Sequence, residues 1–219
     1  MSKPIQINNL SISYGEYNVI QNFSLFVNEG ETVLIKGASG CGKSTLLHAI
    51  CGLIPSVIKA DITGEVLLYG KNVKTLNIAD RAREIGIVFQ NPETQLFCDT
   101  VEDEIAFGLE NICTPTHEIG ERINKMLTLV NMEKHRLTSP RELSGGQKQR
   151  VVLASVLALH PRILLLDEAM SQLDQRGRES LTQHIIDLQK QNITMLLVDH
   201  DEQLESIATY CVDLEDFAL

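Results

Sequence analysis

One segment restricts this chain more than any other. Gly37-Ala38-Ser39-Gly40-Cys41-Gly42-Lys43-Ser44-Thr45 has the spacing GxxxxGK[ST]. Its flanks are the ones such a loop requires. Thr32-Val33-Leu34-Ile35 predicts a short buried strand before it, and the residues from Lys43 to about Cys51 predict a helix after it. Glycines let backbone N–H groups wrap around an anion that side chains would block. The following helix adds free N–H groups and the positive end of its dipole. Lys43 supplies a mobile positive charge for β- and γ-phosphates, and the Ser44 hydroxyl suits Mg²⁺. Residues 37–45 are the first candidate site, a cradle for nucleotide phosphates. Cys41 reads as a free position of the loop with no redox role.

The remaining pattern describes the scaffold. Ile5, Ile7, Leu10 and Ile12 predict an early strand, Phe23–Val27 a second, and Val66–Gly70 and Ile85–Phe89 two more. Asn28–Glu31 reads as a turn. Ile163–Leu166 and Thr194–Val198 are continuous apolar runs, separated by a helix with Leu181, Ile185 and Leu188 inward. Such strands alternating with helices predict an α/β fold on a mostly parallel sheet covered on both faces. The middle of the chain differs. Val101, Ile105, Leu109 and Ile112 have helical spacing after Thr100, which caps with Asp103. Ile119, Ile123, Met126, Leu127 and Val130 form a second helical face after Thr116, and a third helix follows Ser144. About residues 91–160 read as a helical insertion into one large domain, as the length of 219 residues allows.

Further candidates stand where strands end, which is where open α/β sheets bind ligands. Ile163–Leu166 runs into Asp167-Glu168. Asp167 is the candidate holder of Mg²⁺, and Glu168 the candidate that orients or deprotonates an attacking water. Gln90 follows Ile85–Phe89, with an amide suited to that water or to Mg²⁺. His200 follows Thr194–Val198. Leu143-Ser144-Gly145-Gly146-Gln147 adds a second anion site: Ser144 and Gln147 form a capping box, the glycines permit close approach, and a helix N-terminus follows. One chain thus carries two phosphate-binding helix ends, and a single nucleotide on one subunit need not use both.

Composition excludes several classes. With 43% hydrophobic and 22% charged residues, the chain is neither disordered nor a minimal disulfide scaffold. Its net charge of −10, from 19 basic and 29 acidic residues, opposes a nucleic-acid footprint, so no nucleic-acid partner is expected. No apolar run approaches the roughly 20 residues of a membrane span, and the N-terminus shows no signal-peptide core. Cys41, Cys51, Cys98, Cys113 and Cys211 lack CxxC spacing and read as reduced thiols of a cytosolic protein.

Together these residues resemble the nucleotide-binding subunit of an ABC ATPase. The Walker A loop, Gln90, the LSGGQ signature, Walker B with Asp167-Glu168, the loop Ser171-Gln172-Leu173-Asp174 and His200 occur in that family's order over almost the whole chain. Gln172 replaces a frequent Ala, a change expected to be tolerated. The resemblance implies a P-loop NTPase fold: a RecA-like, mostly parallel sheet with an N-terminal antiparallel β subdomain and an inserted α-helical subdomain. It implies one domain over 1–219, with 1–90 and 161–219 as the nucleotide-binding core and 91–160 as the helical signature subdomain. It further implies a Mg-dependent ATPase with ATP and Mg²⁺ bound. Tyr14 would stack on adenine with Val19 beside it, and His200 would sense the γ-phosphate. Ser144, Gly145, Gly146 and Gln147 would face the ATP of a second subunit in a head-to-tail dimer.

A narrower resemblance lies in Phe89–Phe97 and Thr100–Asn111, which are similar to the ATPases of energy-coupling factor (ECF) transporters, importers of cobalt, nickel or vitamins. It implies a groove for the coupling helix of an integral membrane subunit, a peripheral place on the cytoplasmic face of the membrane, and a second ATPase that is identical, different or fused. Many such ATPases continue into a carboxyl-terminal region that strengthens the dimer. The sequence stops at Leu219, so an ATP-dependent dimer is expected, and the amino half of a fused double ATPase or a trimmed chain would also fit. Two alternatives belong to other classes. A soluble ABC ATPase of DNA repair or translation would need coiled-coil or zinc-binding insertions between Gly37 and Leu143, or a second cassette. A non-catalytic nucleotide-gated assembly subunit would not need both Glu168 and His200.

Overall fold

The computed structural model describes residues 3–171 and 173–217, so the reading of Gln172 lies outside the described residues. Its strands are β1 (Ile5–Tyr14), β2 (Tyr17–Val27), β3 (Thr32–Lys36), β4 (Asp61–Leu68), β5 (Lys71–Asn72), β6 (Ile85–Val88), β7 (Ile163–Asp167), β8 (Thr194–Val198) and β9 (Tyr210–Asp213). Its helices are α1 (Lys43–Ile50), α2 (Ile78–Glu84), α3 (Val101–Asn111), α4 (Thr116–Leu129), α5 (Gly145–Ala158), α6 (Gln175–Lys190) and α7 (Glu202–Ile207).

Strands β6-β7-β8-β3-β9 form a sheet in which every neighbouring pair is parallel. The apolar runs have a simple cause. Successive residues of a strand point to opposite faces, and here each face carries its own core. Leu34, Leu164, Leu166, Met195 and Leu197 join one buried cluster, with α3 to α6. Their neighbours Val33, Ile35, Leu165, Leu196 and Val198 join the other, with α1 and the second sheet. That second sheet, β2-β1-β4-β5, is antiparallel. Helix α5 packs against both α3 and α4. It buries Val151, Val152, Leu153, Ala154 and Leu157, so it reads as apolar nearly all round. Burying each of its larger side chains stabilises the fold by about 1.5–3 kcal/mol.

Several boundaries differ from expectation. Strand β2 starts at Tyr17 and β4 at Asp61, well before the apolar runs at Phe23 and Val66. Pairing with β1 extends both, although their outer residues are exposed and polar. Tyr69 and Gly70 leave β4 because both have positive φ, +48° and +78°, and form the turn to β5. Phe89 leaves β6 because its N–H donates to Oε1 of Gln95, at 2.7 Å, instead of to a neighbouring strand. Helices α2 and α7 and strand β9 were not anticipated. Helix α2 buries no residue, and β9 shows only half-buried and exposed positions.

Candidate functional site

Between β3 and α1 the chain makes the phosphate loop. Gly42 caps α1 with φ +103°, a left-handed conformation, and a Cβ there would lie 2.7 Å from Cγ1 of Val19. Only glycine suits both demands. The same contact brings Val19 onto the loop. The cavity over α1 is walled by Val19, Ser39, Gly40, Gly42 to Thr45, Gln90 and Glu168. Lys43 is 4% exposed. Its Nζ donates to the carbonyl oxygens of Gly37 at 2.7 Å and Ala38 at 2.9 Å. Gly37, Ala38 and Cys41 form the base of the loop and stand outside the cavity wall. Burial pushes the Cys41 thiol up, against the pull of Lys43, so it is not a ready thiolate. Tyr14 also stands outside the wall. It is half-buried at the hairpin end of β1, packed with Val19 on the second core.

Parallel register brings the other candidates to the same edge. Ile35 pairs with Val198 and Val198 with Asp167, so β3, β8 and β7 end level. Gln90 follows β6, which runs beside β7. Glu168 has φ +45°, a strained conformation for a non-glycine residue, costing about 1–3 kcal/mol. Its N–H donates to the carbonyl of Val198 at 2.7 Å, and its carbonyl accepts from Ser171 N–H at 3.0 Å. So held, its carboxylate accepts a hydrogen bond from the Gln90 amide. It lies 3.9 Å from Lys43 Nζ and 3.9 Å from His200 Nε2. Three positions read separately from sequence therefore meet Lys43 at one carboxylate.

Asp167 is 4% exposed. Burial pushes its carboxyl above the usual range, while a hydrogen bond from Ser44 pulls it back. Its Oδ1 is buried with no hydrogen-bond partner. An orphaned anionic oxygen beside a serine hydroxyl is a hard-oxygen donor set suited to Mg²⁺. Among the described residues no group of three His, Cys, Asp or Glu could hold a metal alone. A magnesium ion that shares its coordination with phosphates and water needs no such group.

The signature forms a separate site. Ser144 caps α5 with both bonds of the capping box, its hydroxyl accepting from Gln147 N–H and its own N–H donating to the Gln147 side chain at 2.9 Å. Ser144, Gly145, Gly146 and Gln147 line a second cleft with Arg150, Asp174 and Arg176. It shares no wall residue with the phosphate cavity. A third groove, lined by Glu93, Leu96, Phe97, Cys98, Pro140, Arg141 and Lys148, lies in the segment after Gln90. Phe97 and Phe107 stack edge-to-face at 4.7 Å yet stay 63% and 45% exposed.

Two residues of these sites escaped the sequence reading. Asp199, 7% exposed, accepts from His200 N–H at 2.7 Å, Asp201 N–H at 3.2 Å and Met170 N–H at 3.3 Å. It ties the histidine loop to the turn after Glu168. Buried Glu104 accepts from the N–H groups of Phe97 and Cys98, fixing the groove. An acid just before His200 was visible in sequence. Nothing local marked Glu104 apart from its place on the apolar stripe of α3.

A parallel sheet carrying this loop after β3, with β8 between it and the carboxylates of β7, defines a P-loop NTPase. Residues 20–171 match the ABC transporter family, and the chain belongs to it. It is 38% identical over 219 residues to the energy-coupling factor transporter ATP-binding protein EcfA1 of Leuconostoc mesenteroides, covering 99% of this chain and 79% of that one. It is 43% identical over 182 residues to an ABC transporter ATP-binding relative in Methanosarcina mazei, of which it spans 31%. Among solved structures it is similar to cbiO1 of Clostridium perfringens, part of the ABC transporter complex cbiONQ, with TM-score 0.79, 30% identity and coverage of 92% and 80%. It is also similar to the dimeric ATP-binding cassette MJ0796 in a post-hydrolysis state with ADP and Pi, with TM-score 0.85, 28% identity and coverage of 97% and 94%. Among the described residues no helix is long and apolar enough to cross a membrane.

Proposed function

We propose that this chain binds and hydrolyses Mg-ATP as half of a head-to-tail ATPase dimer powering an ECF-type importer of the cobalt, nickel or vitamin class. The carrying observation is the pair of clefts. One is walled by the phosphate loop, Gln90 and Glu168; the other holds the signature, and no wall residue is common to both. Residues 1–90 and 161–219 then form the nucleotide-binding core, and 91–160 the helical signature subdomain.

Backbone N–H groups of the loop and Lys43 hold the β- and γ-phosphates, and Tyr14 and Val19 flank the adenine. Ser44, Asp167 and Gln90 hold Mg²⁺, which when bound offsets charge on the phosphate oxygens. Glu168 orients the attacking water and accepts its proton, and His200 contacts the γ-phosphate. Ser144, Gly145, Gly146 and Gln147 complete the site of the facing subunit, which is a second copy, a related chain or a fused half. The groove at Leu96–Cys98 takes a coupling helix of an integral membrane subunit, which places the chain peripherally on the cytoplasmic face. Closure on ATP works on that helix, and hydrolysis resets it.

Phosphate release with Mg-ATP, compared between wild type and Glu168→Gln, tests the reading. The variant should keep ATP, run as a dimer on size exclusion, and turn over about 10²–10⁴-fold more slowly. Turnover above about a tenth of wild type would assign water activation elsewhere. Gentle detergent purification of the native complex should bring membrane subunits with the chain; a chain recovered alone would refute the transporter role.

A further inference from the structure

The base of the phosphate loop touches a carboxylate that belongs to none of the motifs. The Ala38 N–H donates to Oε1 of Glu215. The carbonyl of the same peptide group, that of Gly37, accepts from Lys43 Nζ at 2.7 Å. One peptide plane therefore stands between an ammonium and a carboxylate, with its dipole aligned to both. Rotating that plane would break both bonds at once. Gly37 has φ +137°, within the range that side-chain-bearing residues rarely adopt, so its neighbouring peptide plane has little steric restraint of its own.

The segment carrying Glu215 is anchored on both sides. Strand β9 pairs with β3, Asp213 standing opposite Lys36. Leu214 is fully buried, and its N–H donates to the Lys36 carbonyl at 2.9 Å. Phe217 stacks edge-to-face on Phe23 at 5.1 Å. The Glu215 N–H donates to Oδ1 of Asp213 at 2.9 Å. An exposed glutamate is thus held against the loop by buried neighbours.

We propose that Glu215 is a positioning residue for nucleotide binding: it fixes the Gly37–Ala38 peptide so that Lys43 and the loop amides stand ready for phosphates. This rests on the loop being the nucleotide site. Its contribution is pre-organisation, which appears in affinity and not in the chemical step. Charge and geometry can be separated. A carboxylate near bound phosphates repels them, so if charge were its only effect, both neutral variants would bind ATP more tightly.

The test is titration of the 219-residue chain and its variants with a fluorescent ATP analogue, with Mg-ATP turnover and thermal melting measured alongside. Glu215→Ala should raise Kd by about 3–10-fold, while Glu215→Gln, which keeps an acceptor oxygen, should stay within about twofold of wild type. Turnover of both at saturating nucleotide should change less than about twofold, and melting temperatures by less than about 2 °C. The proposal falls if Glu215→Ala binds like wild type, or if Glu215→Gln weakens binding as much as Glu215→Ala. It also falls if the loss of affinity follows a loss of folded protein. A wild type that binds no nucleotide would sink the nucleotide reading, and this proposal with it.

Discussion

Removing the Asp199 carboxylate tests whether the site's geometry depends on a buried staple. In Asp199→Ala three backbone N–H groups lose their acceptor. They do not lose equally. Met170 is 1% exposed, so its N–H pays the full cost of an unmet buried donor, about 1–3 kcal/mol. His200 and Asp201 lie at a surface that water reaches, so each of their N–H groups costs about 0.5–1 kcal/mol. The sum is about 3 kcal/mol. Removing a desolvated charge returns about 1 kcal/mol, leaving a net loss near 2 kcal/mol. For a domain of this size that lowers the melting temperature by about 4–8 °C. Turnover should fall about tenfold with little change in ATP affinity, since the staple aligns His200 and the Glu168 turn but touches no phosphate. Asp199→Asn should be intermediate, keeping one acceptor but facing Met170 N–H with a second donor. Calorimetry and phosphate-release kinetics read both effects. A melting temperature within about 2 °C of wild type, together with unchanged turnover, would refute the staple.

Other substitutions probe the remaining parts. Lys43→Ala should abolish measurable ATP binding by equilibrium dialysis; affinity near that of wild type would remove the loop from the site. Ser144→Ala should leave nucleotide binding by the isolated monomer intact while impairing ATP-driven dimerisation in light scattering; equal loss of both would argue against a signature acting across subunits. Asp167 carries a pH signature. Burial raises its folded pKa above the ordinary 3.8, so its contribution to stability is complete below that value and is lost as pH rises through the raised one. Without nucleotide, Asp167→Asn should therefore melt above wild type at neutral pH, with the gap closing as pH falls toward 3.8, while its Mg-ATP affinity drops. A gap that does not change with pH would mean that ionisation of Asp167 costs the fold nothing.

The parallel sheet was legible because each of its inner strands is buried on both faces. Leu164 and Leu165 serve different cores, yet both must be apolar. That constraint survives in any one sequence. The end of β7 was legible for the same reason, since the polar Asp167 marks where the two-sided core stops. Less survived where pairing replaces burial. The outer half of β2, with Tyr17 80% exposed, is held by β1 and carries no apolar signal. Register shifts near Asn9, at φ +45°, break the alternation of β1. Strand β9 pairs with β3 on the sheet edge, where its side chains need not be apolar. The sites follow the same division. Residues in a fixed spacing, such as 37–45 and 144–147, were readable, but Asp199 and Glu104 act on backbone N–H groups that no spacing reveals.

On the proposed function, the contacts within the site also say what ATP would meet. Lys43 rests on two carbonyls of its own loop, and Gln90 rests on Glu168. Each resting contact uses the group that a phosphate or its magnesium would claim. On that reading a triphosphate would place its oxygens beside the carbonyls that Lys43 already holds and would draw Gln90 away from Glu168. An incoming γ-phosphate would bring negative charge toward Glu168, which Lys43, 3.9 Å away, would offset. Within one chain the wall of that cavity contains no signature residue, so any signature contact to a phosphate bound there would come from a second chain. The signature cleft holds a capped helix N-terminus with Arg150, Asp174 and Arg176 among its wall residues. On the proposed function, two chains arranged head to tail would bring both clefts together with the same pair of surfaces.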